Sequence, residues 1–514
     1  MTFLKKLLLG LLLILTILVT SLWIIAKSIK PEVIKDYVNS QLTTLTAQKS
    51  SVEGDISWHL FPRPGVRITS IKVGDIGGDA PFAMTLDKLL FNLNITPLLR
   101  GKLEFSELKV DGFKIRINSD AKPSQATSKP VNHAPQKEKQ NIAKSFAIAR
   151  LMLSRGQIIW TRQKTRMTIS GLQLGAEQLN LQQQSFPFQL KGKLDVTRLQ
   201  QRLAKSRVNF KGRVELPAGL LHNPENALKS LFMTGQLTLQ DTELKTFRFD
   251  RLKGNAELKK GIAQLNPLTV SLYHGESIGD LRYDTTQHKL AINQTATNLN
   301  SGKLIQNLTG KKLLQGSLDF SLHTLTDLQN TDWQSNTTAN GNFTIRDGTL
   351  LTIDFNKVID EINNKIGTLL KIRNINPQQE LDLAQLDAPM NYNGETPFKL
   401  LTLQYRLDKD TVFSDMFILQ TNRLQLNGNG QFNLNDYAVQ SQIQAKVSFN
   451  NDKADKIQDM MGGSFPILIK GTLNQLMVIP NLKKMTPLLT RMWLKETLAK
   501  PVKDIKQQLK TLFH

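Results

Sequence analysis

Leu108-Lys109-Val110-Asp111-Gly112-Phe113-Lys114-Ile115-Arg116-Ile117 is the stretch that decides the fold. Apolar and charged residues alternate on both sides of Asp111-Gly112. A period of two sends one set of side chains to each face of a β-strand, so one face is greasy and the other wet. Asp-Gly between two such runs predicts a hairpin, because a type I′ turn needs φ > 0 at both central residues. The pattern recurs downstream. Leu401, Leu403, Tyr405 and Leu407 alternate with Thr402, Gln404 and Arg406, and Ile443, Ala445, Val447 and Phe449 with Gln442, Gln444, Lys446 and Ser448. A glycine, a polar and an apolar residue are expected to open many strands, as at Gly192-Lys193-Leu194, Gly212-Arg213-Val214, Gly235-Gln236-Leu237, Gly341-Asn342-Phe343 and Gly471-Thr472-Leu473.

The spacing is too irregular for a fixed-period solenoid. About 20–25 strands at ~4.8 Å would give a sheet of roughly 100 Å, which must twist and curl. The expected fold is mainly β: an N-terminal transmembrane helix, then a long, twisted, antiparallel β-sheet groove with a few short helices. Periodicity equally allows tandem β-sandwiches, whose inner faces cover each other. Helical spacing predicts short helices over Val33–Leu45, Val358–Leu370 and up to Met461.

Leu7 to Ala26 is twenty residues without a charge, long enough to span one hydrocarbon core of roughly 30 Å. Ile24-Ile25-Ala26 puts a bulky residue where signal cleavage wants a small one, so an uncleaved anchor is expected. Lysines flank both ends, and charge bias does not set the orientation. The chain carries 66 Lys+Arg against 43 Asp+Glu, a formal +23, which points to an acidic partner. With the anchor in view, and with no basic helix or clustered-aromatic strand for nucleic acid, that partner reads as a membrane surface.

The expected organisation is a cytoplasmic head 1–6, the transmembrane helix 7–26, an N-terminal region 27–118 (short helix, then β), a disordered linker 119–140 containing Pro123, Pro130 and Pro135, a β-body 141–480, and a basic amphipathic helical segment 481–514.

Catalytic signals are sparse. There is no cysteine, no phosphate-binding glycine loop, and the seven histidines share no metal-ligand spacing. Gly275-Glu276-Ser277-Ile278-Gly279 matches a hydrolase nucleophile elbow, but an elbow needs a strand-to-helix turn and both flanks read as strand. The glycines read more simply as a hairpin turn. No catalytic residue, metal site or cofactor is expected, and the chain reads as a non-enzyme.

The order of several motifs resembles the AsmA family of Gram-negative envelope proteins. They are Gly54-Asp55-Ile56-Ser57-Trp58-His59-Leu60-Phe61-Pro62-Arg63-Pro64-Gly65-Val66, Asn94-Ile95-Thr96-Pro97-Leu98-Leu99-Arg100-Gly101 and Leu108 to Gly112. In the C-terminal half come Leu272-Tyr273-His274-Gly275 through Gly279, Gly316-Ser317-Leu318 and Arg346-Asp347-Gly348-Thr349-Leu350. The resemblance implies a bridge-like lipid-transfer groove, anchored in the inner membrane with its N-terminus cytoplasmic and its body periplasmic, that supports outer-membrane biogenesis. Its implied partners are phospholipids, the inner membrane through the anchor, and the outer membrane or envelope proteins through the C-terminal segment, with no nucleic acid. Phe113, Ile115, Ile117, Leu403, Tyr405, Val447 and Phe449 are the candidate groove lining. The alternative is a structural or assembly factor whose sheet edges bind outer-membrane proteins; a serine hydrolase at Ser277 ranks below both.

Overall fold

The computed structural model describes residues 48–480, except 60–63, 77–79, 95–104, 122–146, 181, 218–229, 246, 330–334, 361–362, 365–392, 450–451 and 473–474, together with seven helical positions between 32 and 43. The expected anchor 7–26, the segment 481–514 and most of the linker 119–140 lie outside the described residues. Among the described residues no helix is long and apolar enough to cross a membrane. The chain divides into two compact units, Met1–Leu268 and Thr269–His514.

In the first unit the strands are β1 (Ser50–Val52), β2 (Ile56–His59), β3 (Gly65–Val73), β4 (Phe82–Leu93), β5 (Phe105–Asn118) and β6 (Ala147–Arg162). They continue with β7 (Thr165–Asn180), β8 (Phe186–Arg198), β9 (Gln201–Glu215), β10 (Phe232–Leu244) and β11 (Phe247–Lys259). Both β1 and β2 pair with β3, and from β3 to β11 each strand pairs with the next. Strand β12 (Ile262–Leu272) crosses the boundary between the units.

The second unit continues with β13 (Gly275–Asp284), β14 (Lys289–Asn300), helix α1 (Ser301–Thr309), β15 (Leu314–Asp327), β16 (Thr337–Leu350) and β17 (Thr396–Asp408). Then follow β18 (Thr411–Gln420), β19 (Leu424–Asn433), β20 (Ala438–Val447), helix α2 (Asp452–Met460), β21 (Phe465–Thr472) and β22 (Gln475–Pro480). From β13 to β22 each strand again pairs with the next. Within each unit the pairing is therefore one unbroken ladder, not the two facing sheets of the sandwich alternative.

Three expectations need correction. The sheet of the first unit is mixed, because β5 and β6 run parallel. Strand β6 therefore starts at the same end of the sheet as β5. Asp111-Gly112 is not a hairpin turn either: β5 passes straight through it. Only Gly112 has a positive φ, +72°, so the dipeptide makes a bulge rather than a reversal. Finally, Gly192, Gly212 and Gly341 lie inside β8, β9 and β16 rather than at their starts, and Gly471 lies near the end of β21. Two physical reasons put glycines inside strands. Gly212 and Gly235 face each other so closely that a Cβ on Gly212 would sit 2.1 Å from the Thr234 carbonyl oxygen. Elsewhere an aromatic ring lies over the glycine opposite it, as Phe113 over Gly156, Tyr405 over Gly341 and Phe398 over Gly348.

The real hairpin turns use other residues. Gln163-Lys164, Leu199-Gln200 and Tyr273-His274 each have φ > 0 at both positions. Long flanking ladders hold these turns despite the cost of a left-handed side-chain-bearing residue. The expected helices are partly present. Positions described between 32 and 43 are helical, with Leu42 packed on the core of the first unit. Residues 355–360 are helical, and α2 covers the predicted helix near Met461.

One row of bulges crosses the first unit. Ser70, Gly112, Arg155 and Gly171 have positive φ, and each is followed by a residue of one cross-strand row: Ile71, Phe113, Gly156 and Leu172. Each bulge shifts the alternation by one residue, so the apolar set in β5 changes from Leu108 and Val110 to Phe113, Ile115 and Ile117. The Asp111 carboxylate holds two of these bulges together. It accepts from Arg155 Nε at 2.8 Å, Arg155 Nη2 at 2.9 Å and Ser154 Oγ at 2.7 Å. The Arg155 guanidinium, then the Ser154 hydroxyl, hold the Asp111 pKa at about 2, below the ordinary 3.8. Stability from this group is therefore fully present above its unfolded pKa and lost as pH falls through about 2. Thermal melts of Asp111→Asn against the parent should differ above pH 4 and converge near pH 2; a difference that persists at the lowest pH would contradict the staple.

Candidate functional site

Cross-strand register converts alternation into rows running perpendicular to the strands. In the first unit one row reads Ile68, Leu89, Val110, Leu153, Leu174, Leu190, Phe210 and Leu237. A second reads Phe82, Ile117, Trp160, Met167, Val196, Ala204, Leu244 and Phe247. The same face is thus apolar from β4 to β11. The rows differ in cover. Ile68, Val110 and Phe210 of the first row are buried and its other five members half-buried, whereas the second keeps Ile117 37% and Leu244 44% exposed.

The second unit repeats the arrangement. Leu299, Leu318, Ile345, Leu401, Leu419, Leu426, Ala445 and Phe465 form one row, every member buried. The next row, Ala296, Phe320, Phe343, Leu403 and Phe417, begins buried and then is half-buried throughout. Farther on, Ile292, Thr324, Ala339, Leu407, Val412, Phe432 and Val439 form a largely half-buried row. In this unit the apolar face is buried along one row and accessible along the next.

The candidate lining residues fall into two groups. Phe113, Val447 and Phe449 are buried within their units. Phe113 belongs to the core with Ile68, Ile71, Val73 and Leu86. The Val447 N–H donates to Gln458 Oε1 at 2.8 Å, and Gln458 Nε2 donates back to the Val447 carbonyl at 3.0 Å, so α2 closes the end of β20 as a short extra strand would. Phe449 meets Phe465 edge-on, with ring centroids 5.8 Å apart. Ile115, Leu403 and Tyr405 are half-buried and Ile117 is exposed. The Tyr405 hydroxyl donates to the Ser321 carbonyl at 3.0 Å, and burial pushes its pKa up to about 12, so the phenol stays neutral. The alternation alone did not separate these groups; Phe320, Phe343 and Phe417, half-buried in the same row as Leu403, were missed. Their signal was available only through the register that places them side by side.

Several buried polar groups bond to one another. Ser206 and Thr242, both buried, bond to each other at 2.8 Å. Ser277, the serine of the Gly-x-Ser-x-Gly string, is buried within β13 and donates to Gln294 Oε1 at 2.5 Å. The turn is at Tyr273-His274, so the two glycines are strand residues and not the turn expected of them. A Cβ on Gly279 would sit 1.9 Å from the Asn293 carbonyl oxygen, which explains the second glycine by close backbone approach. The strand-to-helix turn of a nucleophile elbow is not formed here.

Fold and site together define a class: one-sided β-sheet units whose apolar faces are partly accessible. Residues 1–230 match the AsmA family model. The likeness read in the C-terminal half, from Leu272 onward, lies outside the matched residues. No curated protein and no solved structure matches the chain.

Proposed function

We propose that this chain is an inner-membrane-anchored periplasmic protein that carries phospholipid along its apolar β-faces in support of outer-membrane biogenesis. The observation that carries this reading is the accessible apolar row in each unit, which in the second unit lies beside a fully buried one. Acyl chains laid along such rows gain about 0.8 kcal/mol for each buried CH₂, without needing one fixed site. Headgroups would remain at the wet margin, where burial of a phosphate is avoided. Carriage of this kind uses no nucleophile, metal or cofactor. The match of residues 1–230 to the AsmA family supports an envelope role.

Photo-crosslinkers at Ile115, Ile117, Leu403 and Tyr405 should capture phospholipid in cells, whereas the same probes at Gln404 and Arg406, exposed on the opposite face of β17, should not. Equal capture from both faces would sink the proposal. Protein adducts in place of lipid would favour an assembly factor that binds outer-membrane proteins.

A further inference from the structure

The excess positive charge is unevenly placed. Residues 1–268 contain 40 Lys+Arg against 20 Asp+Glu, whereas residues 269–480 contain 18 against 21. Much of the excess lies on the wet face of β8 to β11. One row there reads Lys193, Arg207, Gln240, Arg251; the next reads Lys191, Asn209, Thr238, Lys253; the third reads Gln189, Lys211, Gln236, Asn255. All six cations are exposed. Three rows across four strands cover a patch on the order of 15 Å square. No acid stands in any of the rows. Arg207 pairs with Asp241, and none of the other five has an ion-pair partner among the described residues. Lys193 even faces Arg207 directly, a like-charge pair that weakens a sheet.

We infer that this patch docks the first unit onto an anionic bilayer surface. Three observations select that occupant. The patch is broad and lies on a sheet face, and lipid headgroups present their charge as a layer of the same kind. It contains no aromatic or large apolar residue, so it lacks both the anchors of a protein hot spot and the stacking platform of a single-strand nucleic-acid binder. The unit that carries it is the one that follows the apolar stretch Leu7 to Ala26 and so lies within reach of a membrane. The wet face of the second unit serves as the contrast. Its corresponding rows read Thr295, Ser321, Asn342, Gln404 and Asn293, His323, Asn340, Arg406, mostly neutral groups with little to draw them to anionic lipid. The inference rests on the membrane attachment within the proposed function but not on lipid carriage.

The chain has no cysteine, so a single dye can be placed cleanly. The test uses the full chain in nanodiscs, labelled through Asn209→Cys, with headgroup-spin-labelled lipid as quencher. Quenching should be several-fold greater in discs containing phosphatidylglycerol than in pure phosphatidylcholine, and should be lost in high salt. A label at Asn342→Cys on the second unit should show no such dependence. Joint Lys191→Glu, Lys193→Glu, Lys211→Glu and Lys253→Glu substitution should reduce the lipid-dependent quenching about tenfold, and the salt response of the unmutated patch decides the matter if that variant misfolds. Equal quenching in both lipids, or quenching indifferent to salt, overturns the inference. So does displacement from the discs by an acidic polypeptide at lower concentration than by anionic vesicles, which would make the partner a protein. A chain that fails to enter discs at all would instead refute the anchor.

Discussion

Leu403→Glu is expected to cut phospholipid transfer between vesicles by a factor of about 70 to 400 while leaving the protein folded. Leu403 stands between Phe343 and Phe417 in the accessible row of the second unit. A carboxylate there would project into the path of the acyl chains. Placing a charged side chain in hydrocarbon costs about 2.5–3.5 kcal/mol, which corresponds to that range of rates if passage over the site limits transfer. Because Leu403 is only half-buried, an empty groove can solvate the new charge and the fold should persist. Gln404→Glu, one residue along and exposed on the opposite face, is the matched control and should transfer normally. Transfer assays with fluorescent phospholipid, read beside circular dichroism, separate the outcomes; equal transfer by the two variants would exclude this row as the route.

Gly212→Val should be among the most damaging single substitutions in the first unit. Its added Cβ would meet the Thr234 carbonyl oxygen at 2.1 Å and Gly235 Cα at 2.7 Å, both backbone atoms. Neither can rotate away, so β9 and β10 must separate locally. The expected loss is about 3 kcal/mol or more, above the range of ordinary surface changes. Gly171 is the contrast: a Cβ there would meet nothing within 4 Å, and only its φ of +59° resists a side chain. Gly171→Asn should therefore cost about 1 kcal/mol, since Asn tolerates that region. Denaturant melts and limited proteolysis of the two variants would rank them. A Gly212→Val protein as stable as Gly171→Asn would mean the backbones do not approach as described.

The one-sided β character was legible in the sequence because alternation is a local signal. Leu401, Leu403, Tyr405 and Leu407 do share a face, as do Ile443, Ala445 and Val447. What alternation could not supply was cover. Val447 and Leu403 carry the same local pattern, yet one is closed off beside α2 and the other is half-buried, a difference set by segments distant in sequence. The Asp111-Gly112 misreading has a related cause. A single left-handed glycine can either reverse a chain or shift its phase, and only the neighbouring strands decide which. The sequence nonetheless held a clue: Val110 and Phe113 are three apart, so the apolar set changes parity across the dipeptide without the chain turning back. The Gly-x-Ser-x-Gly string lies inside β13, and its glycines answer to backbone crowding rather than to a turn.

The row of bulges through Ser70, Gly112, Arg155 and Gly171 has a consequence for how this sequence can change over evolutionary time. It divides the first unit into two zones that count residues out of step with each other. Loss of one codon at Gly112 alone would restore plain alternation in β5, with Val110 and Phe113 still on one face, but would leave Arg155 without its opposite residue and one half of β5 a residue out of step with β6. A compensated loss at Arg155 in β6 would move the mismatch on to β7. Single-residue deletions along this line should therefore be far rarer among descendants of this chain than substitutions at the same positions, and those that persist should be accompanied by deletions in the adjoining strands.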